Sequence, residues 1–153
     1  MASWREFAEA DPEMAALGAQ LISNKTFQVA YLATLRKDGG PRVHPVCPVL
    51  AGDHIYLAIG PQSPKLADLR RDSRYMLHAM PGKGDAEFNI RGRATEGNDA
   101  ATHAEVEHAA AAVGLNVMPR EVIFRLDIKQ AATTYWERVG QPDTRPVRRR
   151  WRA

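Results

Sequence analysis

The sequence predicts a mainly β fold with peripheral helices, in which six antiparallel strands close into a small barrel. Three observations point there. Several segments alternate apolar and polar residues with the period of a half-buried strand. Turns rich in Gly and Pro separate them at hairpin spacing. Helical patterns enter only at the front, middle and back, so the strands follow one another as a meander that hides its edges by closing.

Ser3 and Glu6 form an S-x-x-E capping box for a short first helix, and Asp11-Pro12 restarts the helix with a cap and a first-turn proline. Met14, Leu17 and Leu21 make its apolar stripe. Phe27, Val29, Tyr31, Ala33 and Leu35 alternate as a first strand, and Asp38-Gly39-Gly40 turns the chain back. The returning strand carries Val43, Cys47 and Val49 on one face and Arg42, His44 and Val46 on the other. Pro45 and Pro48 remove ladder donors, which marks this strand as an edge or a bulge. Ala51-Gly52-Asp53 leads into Ile55 to Ile59, the third strand of the meander.

Gly60-Pro61 breaks that strand. Ser63 suits a helix N-cap and Pro64 the first helical position, while Leu66 and Leu69 supply the buried side. Tyr75 to Met80 reads as the fourth strand, Phe88 to Ala94 as the fifth, Asp99 to Val113 as an alanine-rich helix, and Val122 to Ile128 as the sixth strand, running on toward Trp136.

With 44% hydrophobic and 25% charged residues in 153, the chain reads as one soluble domain spanning residues 1–153, with an N-terminal helix and a basic tail. Cys47 is the only cysteine, which excludes an intrachain disulfide and fits a reducing cytoplasm. There is no membrane-length apolar run and no leader pattern, so a cytoplasmic location is expected and no membrane partner. Of the net charge of +3, five positive charges (Arg145, Arg148, Arg149, Arg150 and Arg152) fall in the last nine residues, and without them the chain carries −2. A mildly acidic body argues against a nucleic-acid surface.

Few residues suggest their own chemistry. His103 and Glu107 share a helix face, but one His and one Glu do not make a metal site, and His44, His54 and His78 stand on separate segments. Cys47, on an apolar strand face, reads as core. G-x-S-x-G, P-loop and G-x-G-x-x-G fingerprints are absent. Lys65 is the odd residue, a positive charge in the first turn of a helix whose dipole is already positive there. A bound anion resolves that conflict; a solvated surface lysine on a capped helix is the other reading, and the residues alone leave both open.

Three stretches, AYLATLRKDGGPRVHPV (30–46), SPKLADLRRDSRYMLH (63–78) and the strand ending IRGRA (90–94), resemble in order and spacing the pyridoxamine 5'-phosphate oxidase-like, FMN-binding split-barrel proteins. The resemblance implies a split β-barrel that binds FMN at a homodimer interface and acts as an oxidoreductase on a small molecule. It places Ser63 and Lys65 on the family's phosphate-binding segment, with Pro64 standing where that segment has arginine and Ile59 where a hydroxyl residue is common. Arg42 and His44 fall on the strand that often gives a basic cofactor contact, and Trp136 with the arginines beyond Gly140 resembles the Trp and Arg region near the flavin. Plain barrel core is the other reading of Trp136. Two alternatives follow from the same fold: a deazaflavin-dependent reductase, whose cofactor has a longer phosphate-bearing tail suited to the basic C-terminus, and a non-enzymatic flavin- or haem-binding protein with His44 or His78 as axial ligand. Trp151 among the arginines suggests that the tail docks rather than waves free.

Overall fold

The computed structural model describes residues 1–23, 28–97 and 99–153. Phe27, the expected start of the first strand, lies outside the described residues. The chain opens with α1 (Trp4–Ala10) and α2 (Pro12–Ile22). Ser3 and Glu6 cap α1 reciprocally, the Ser3 N–H donating to Glu6 Oε2 at 2.7 Å and the Glu6 N–H to Ser3 Oγ at 3.1 Å. Asp11 accepts from the Met14 N–H at 3.1 Å, starting α2. β1 (Ala30–Leu35) and β2 (Pro41–Val46) form a hairpin whose turn needs Gly39 at φ 83, a conformation side chains resist. There follow β3 (Val49–Ala51), β4 (His54–Ile59), α3 (Pro64–Arg71), β5 (Arg74–Ala79), β6 (Glu87–Glu96), α4 (Ala100–Ala112), β7 (Val122–Glu137) and β8 (Arg145–Arg152).

The expected six-strand barrel is therefore corrected to eight strands among the described residues, in one antiparallel sheet with the order β2-β1-β5-β6-β7-β4-β3 and β8 also paired to β7. Two causes account for the extra strands. Pro48, having no N–H, ends the second expected strand at Val46 and leaves β3 as a separate short piece. The arginine tail, expected only to dock, is itself a strand. The meander also breaks: β4 pairs with β3 and β7, not with β2. The outermost strands, β2 and β3, are joined through Cys47-Pro48 alone, so the sheet curls until its two edges share that corner.

The concave side holds the main core. Phe7, Ile22, Leu32, Ile55, Ile90 and Leu126 are fully shielded there, each contributing roughly 1.5–3 kcal/mol of burial. A second cluster of Val49, Tyr56, Val106, Ala110 and Ile123 holds α4 against β3. Gly18 lets α2 lie on Phe88, since a Cβ there would come within 2.5 Å of its ring. Gly92 sits at a register shift in the β6–β7 ladder, where a Cβ would come within 1.8 Å of the Asp127 carbonyl oxygen.

One edge of β7 is covered by three distant pieces of chain: β4 along Val122–Leu126, Ala2 at Ile128, and β8 along Gln130–Glu137. Ala2 and Ile128 exchange both backbone hydrogen bonds at 2.8 Å. On the inner face of β8, Trp151 packs on Phe7 with ring centroids 4.9 Å apart, and Arg149 pairs with Asp11 at 3.0 Å and Glu13 at 2.8 Å. The core expectation for Cys47 fails, and so does the alternative reading of Trp136 as core. Cys47 is exposed, because Pro48 turns it out at the corner. Trp136 is 41% exposed, because it falls on the outer face of β7, opposite Pro146.

Candidate cofactor site

The N-terminus of α3 is set by β4. Ile59 ends that strand opposite Val122, Gly60-Pro61 turns, and Ser63 takes the N-cap position. Its hydroxyl makes no capping hydrogen bond, and Pro64 brings no N–H, so the first turn presents few donors of its own. Lys65 follows, half-buried, with no ion pair among the described residues. Burial lowers its pKa from the ordinary 10.5, and the nearby Glu121 carboxylate opposes that shift.

Leu66 and Leu69 face the core as expected, but the organising residue of α3 is Asp68, to which the sequence alone gives no role. It is 3% exposed. Its carboxylate accepts from Thr34 Oγ1 at 3.0 Å, Arg42 Nε at 2.6 Å and Arg71 Nη2 at 3.0 Å. Burial pushes its pKa up, but the bonds from Arg71, Arg42 and Thr34 outweigh that and hold it below the ordinary value. Arg71 also donates to the Leu35 carbonyl. Asp68 thus fastens α3 to β1 and β2, and fixes Arg42 along the strand. The signal was one of charge balance: an acid beside two core leucines needs cationic partners, and Arg42 and Arg71 were at hand.

His44 lies two residues beyond Arg42 on the same face of β2. Its Nε2 is buried and has no hydrogen-bond partner among the described residues. Burial first, then Lys65 and Arg42, lower its pKa from 6.5, while Asp68 opposes them. The net shift favours the neutral imidazole. The structure brings Arg42, His44 and Lys65 within electrostatic reach of one another, with Ser63 at the start of the same helix. Trp136 stands at the far end of β7, about 14 residues and some 46 Å of strand beyond Val122, and does not join them within one chain.

Two clefts flank the corner. One, about 380 Å³, is lined by Gly60, Gln62, Ser63, Met118, Arg120 and Glu121. The other, about 270 Å³, is lined by Pro45, Cys47, Gly60, Lys65, Leu115 and Glu121, among others. The loop between α4 and β7 thus closes over the helix terminus. Nothing local in the sequence announces this, because it depends on the pairing of Ile59 with Val122. A larger cleft, about 410 Å³, opens elsewhere, near Leu35, Met76, Arg91, Arg93 and Lys129, and holds none of the expected site residues. Among the described residues no three His, Cys, Asp or Glu gather as a metal site, and no helix is long and apolar enough to cross a membrane.

The fold class is a mainly antiparallel sheet with a few peripheral helices, carrying a half-buried lysine at one strand-to-helix corner. The family model for pyridoxamine 5'-phosphate oxidase matches residues 19–135, and the chain belongs to that family. No curated protein matches it. Among solved structures it is similar to a heme binding protein from Mycobacterium smegmatis (21% identity, 86% of this chain and 55% of that one, TM-score 0.62). It is also similar to a putative pyridoxamine 5'-phosphate oxidase from Listeria innocua (19%, 77% and 94%, TM-score 0.61). A third is a putative 5-nitroimidazole antibiotic resistance protein from Bacteroides thetaiotaomicron (14%, 72% and 77%, TM-score 0.58). The chain spans about half the length of the first of these, and identities this low show the shared fold alone.

Proposed function

We propose that the chain binds FMN at the Ser63–Lys65 corner and acts, as a homodimer, as a flavin-dependent oxidoreductase on a small molecule. One observation carries the reading: a half-buried ammonium without an ion pair among the described residues, beside a hydroxyl that makes no capping hydrogen bond, at a helix terminus that already favours an anion. A phosphate there supplies the missing counter-charge. Lys65 and Ser63 hold it, and Arg120 across the cleft adds a cation where Pro64 stands in place of the family's arginine. Arg42, committed to Asp68, positions β2 against the site. When bound, the flavin supplies the hydride or electron chemistry; the chain binds, orients and shields it.

The second copy is supported by the outer face of β2, β1 and β5. In register there, Val43, Ala33 and Met76 form one row and Pro45, Tyr31 and His78 the next. Val43 is 61%, Tyr31 45% and Met76 40% exposed, a contiguous apolar patch of the kind that pairs. Light scattering should give a dimer of the 17.0 kDa chain; a single-chain species with flavin bound refutes it.

His44 favours a second reading. A neutral imidazole with a buried, unpartnered Nε2 is in the form that ligates iron, so the chain would bind haem. The absorption spectrum of the purified protein separates the two. Flavin absorption with FMN released on denaturation supports the first, a Soret band the second, and blue fluorescence a deazaflavin held by the same corner.

A further inference from the structure

We infer that the outer face of β8 is a binding site for nucleotides bearing two or more phosphates, the chemical class that includes the nicotinamide dinucleotide reductants. The pairing of β7 with β8 sets Trp136 opposite Pro146, Thr134 opposite Arg148, Ala132 opposite Arg150 and Gln130 opposite Arg152. Directly opposed residues share a face of the sheet, so the three arginines and the indole lie in one outward row. Successive guanidinium stems stand about 6.6 Å apart along the strand.

None of the three arginines has a carboxylate partner among the described residues, whereas their neighbours do. Arg145 pairs with Glu137 at 3.0 Å, and Arg149 pairs inward with Asp11 and Glu13. The facing residues of β7, Gln130, Ala132 and Thr134, carry no charge. Beyond them on β6, Arg91 donates to Gln130 Oε1 at 2.8 Å, adding a fourth cation near Arg152, and Glu87, opposite Thr134, is the one acid on that row. Three adjacent like charges repel one another, and folding sets them side by side on a rigid strand instead of dispersing them. A polyanion relieves that repulsion, and guanidinium forks suit phosphate. Trp136 selects among polyanions: its 41% exposed ring, one row beyond Arg148, gives a planar base something to stack on. The row holds only three arginines, which matches a small nucleotide better than a long strand. No flavin is needed for such binding.

Calorimetry of the full chain at low salt with NADPH, ATP and inorganic pyrophosphate tests this. All three should bind, the two nucleotides more tightly. R148Q/R150Q/R152Q should melt like the parent, since these side chains have no partners to lose, and should weaken all three ligands about 100-fold or more, at roughly 10- to 100-fold per charge-assisted contact. Trp136→Leu should weaken NADPH and ATP about tenfold and leave pyrophosphate unchanged. No binding to the parent at millimolar concentration, or equal binding by the triple variant, overturns the inference. A single-stranded oligonucleotide binding far more tightly than ATP also overturns it, since the face would then be a nucleic-acid surface. FMN retention measured on the same samples keeps the results apart: loss of nucleotide with flavin retained, or the reverse, tells which site failed.

Discussion

Lys65→Ala removes the ammonium on which the flavin reading rests. A charge-assisted hydrogen bond contributes roughly 1.5–3 kcal/mol. Two structural features decide where in that range Lys65 falls. Pro64 offers no N–H, which leaves fewer donors to share the phosphate; Glu121, close enough to raise the lysine's pKa, already offsets part of the charge. The second feature is a full charge and outweighs the first, so the lower half applies, about 10- to 40-fold weaker FMN binding. Fluorescence titration of the apoprotein measures it, with riboflavin as the control that lacks the phosphate. Riboflavin should bind weakly and equally to both proteins. Because burial lowers the Lys65 pKa below 10.5, the parent's FMN affinity should fall as pH rises through a value under 10.5, and the variant should show no such fall. If FMN bound the variant as tightly as the parent, or riboflavin lost as much as FMN, Lys65 would not hold the phosphate.

The neighbouring residues give three more expectations. Glu121→Gln keeps an acceptor for the Met118 N–H, now bonded at 2.8 Å, but removes the competing charge, so FMN should bind several-fold tighter at low salt and less so at high salt. Asp68→Asn leaves Arg42 and Arg71 poorly matched and should cost about 3 kcal/mol at pH 7 in urea melts. Asp68 has a folded pKa below its unfolded value, so its stabilisation is present above about pH 4 and is lost as pH falls through the folded value; the variant's acid dependence should be shallower below pH 4. Gly92→Ala drives a methyl into the Asp127 carbonyl and should cost roughly 3 kcal/mol or more, since backbone rather than a side chain must yield; melting like the parent would refute the close approach.

What the sequence made legible was local. The caps at Ser3 and Asp11, the turn at Gly39 and the break at Gly60 each depend on residues a few positions apart, and each stands where expected. The edge position of β2 was legible too, because Pro45 and Pro48 lack ladder donors. β8 was hidden for the opposite reason. Its inward residues are Val147, Arg149 and Trp151, and an arginine at a core-facing position breaks the alternation by which a strand is recognised. Arg149 sits there because Asp11 and Glu13, from the start of the chain, neutralise it. The candidate site divides the same way. Ser63 and Lys65 were singled out by the resemblance and by the oddity of a lysine in a helix's first turn, whereas Asp68, Arg120 and Glu121 gain their meaning only from contacts made across the sheet.

The covering of β7 bears on how the chain can be cut and rejoined. Ala2 sits opposite Ile128 and Arg152 opposite Gln130, so the two ends of this chain lie two residues apart along one strand, within about 7 Å. A linker of a few glycines and serines would bridge them without disturbing either ladder. Fresh ends could then be opened in the exposed hairpin at Gly39-Gly40, giving a circular permutant with the same sheet. In that permutant β8 and the first helix become neighbours in sequence, and their contact through Trp151 and Phe7 changes from one of the most distant in the chain to one of the most local. The cut also turns the β1–β2 hairpin from one of the most local pairings into the most distant, so the permutant should fold more slowly than the parent to the same sheet.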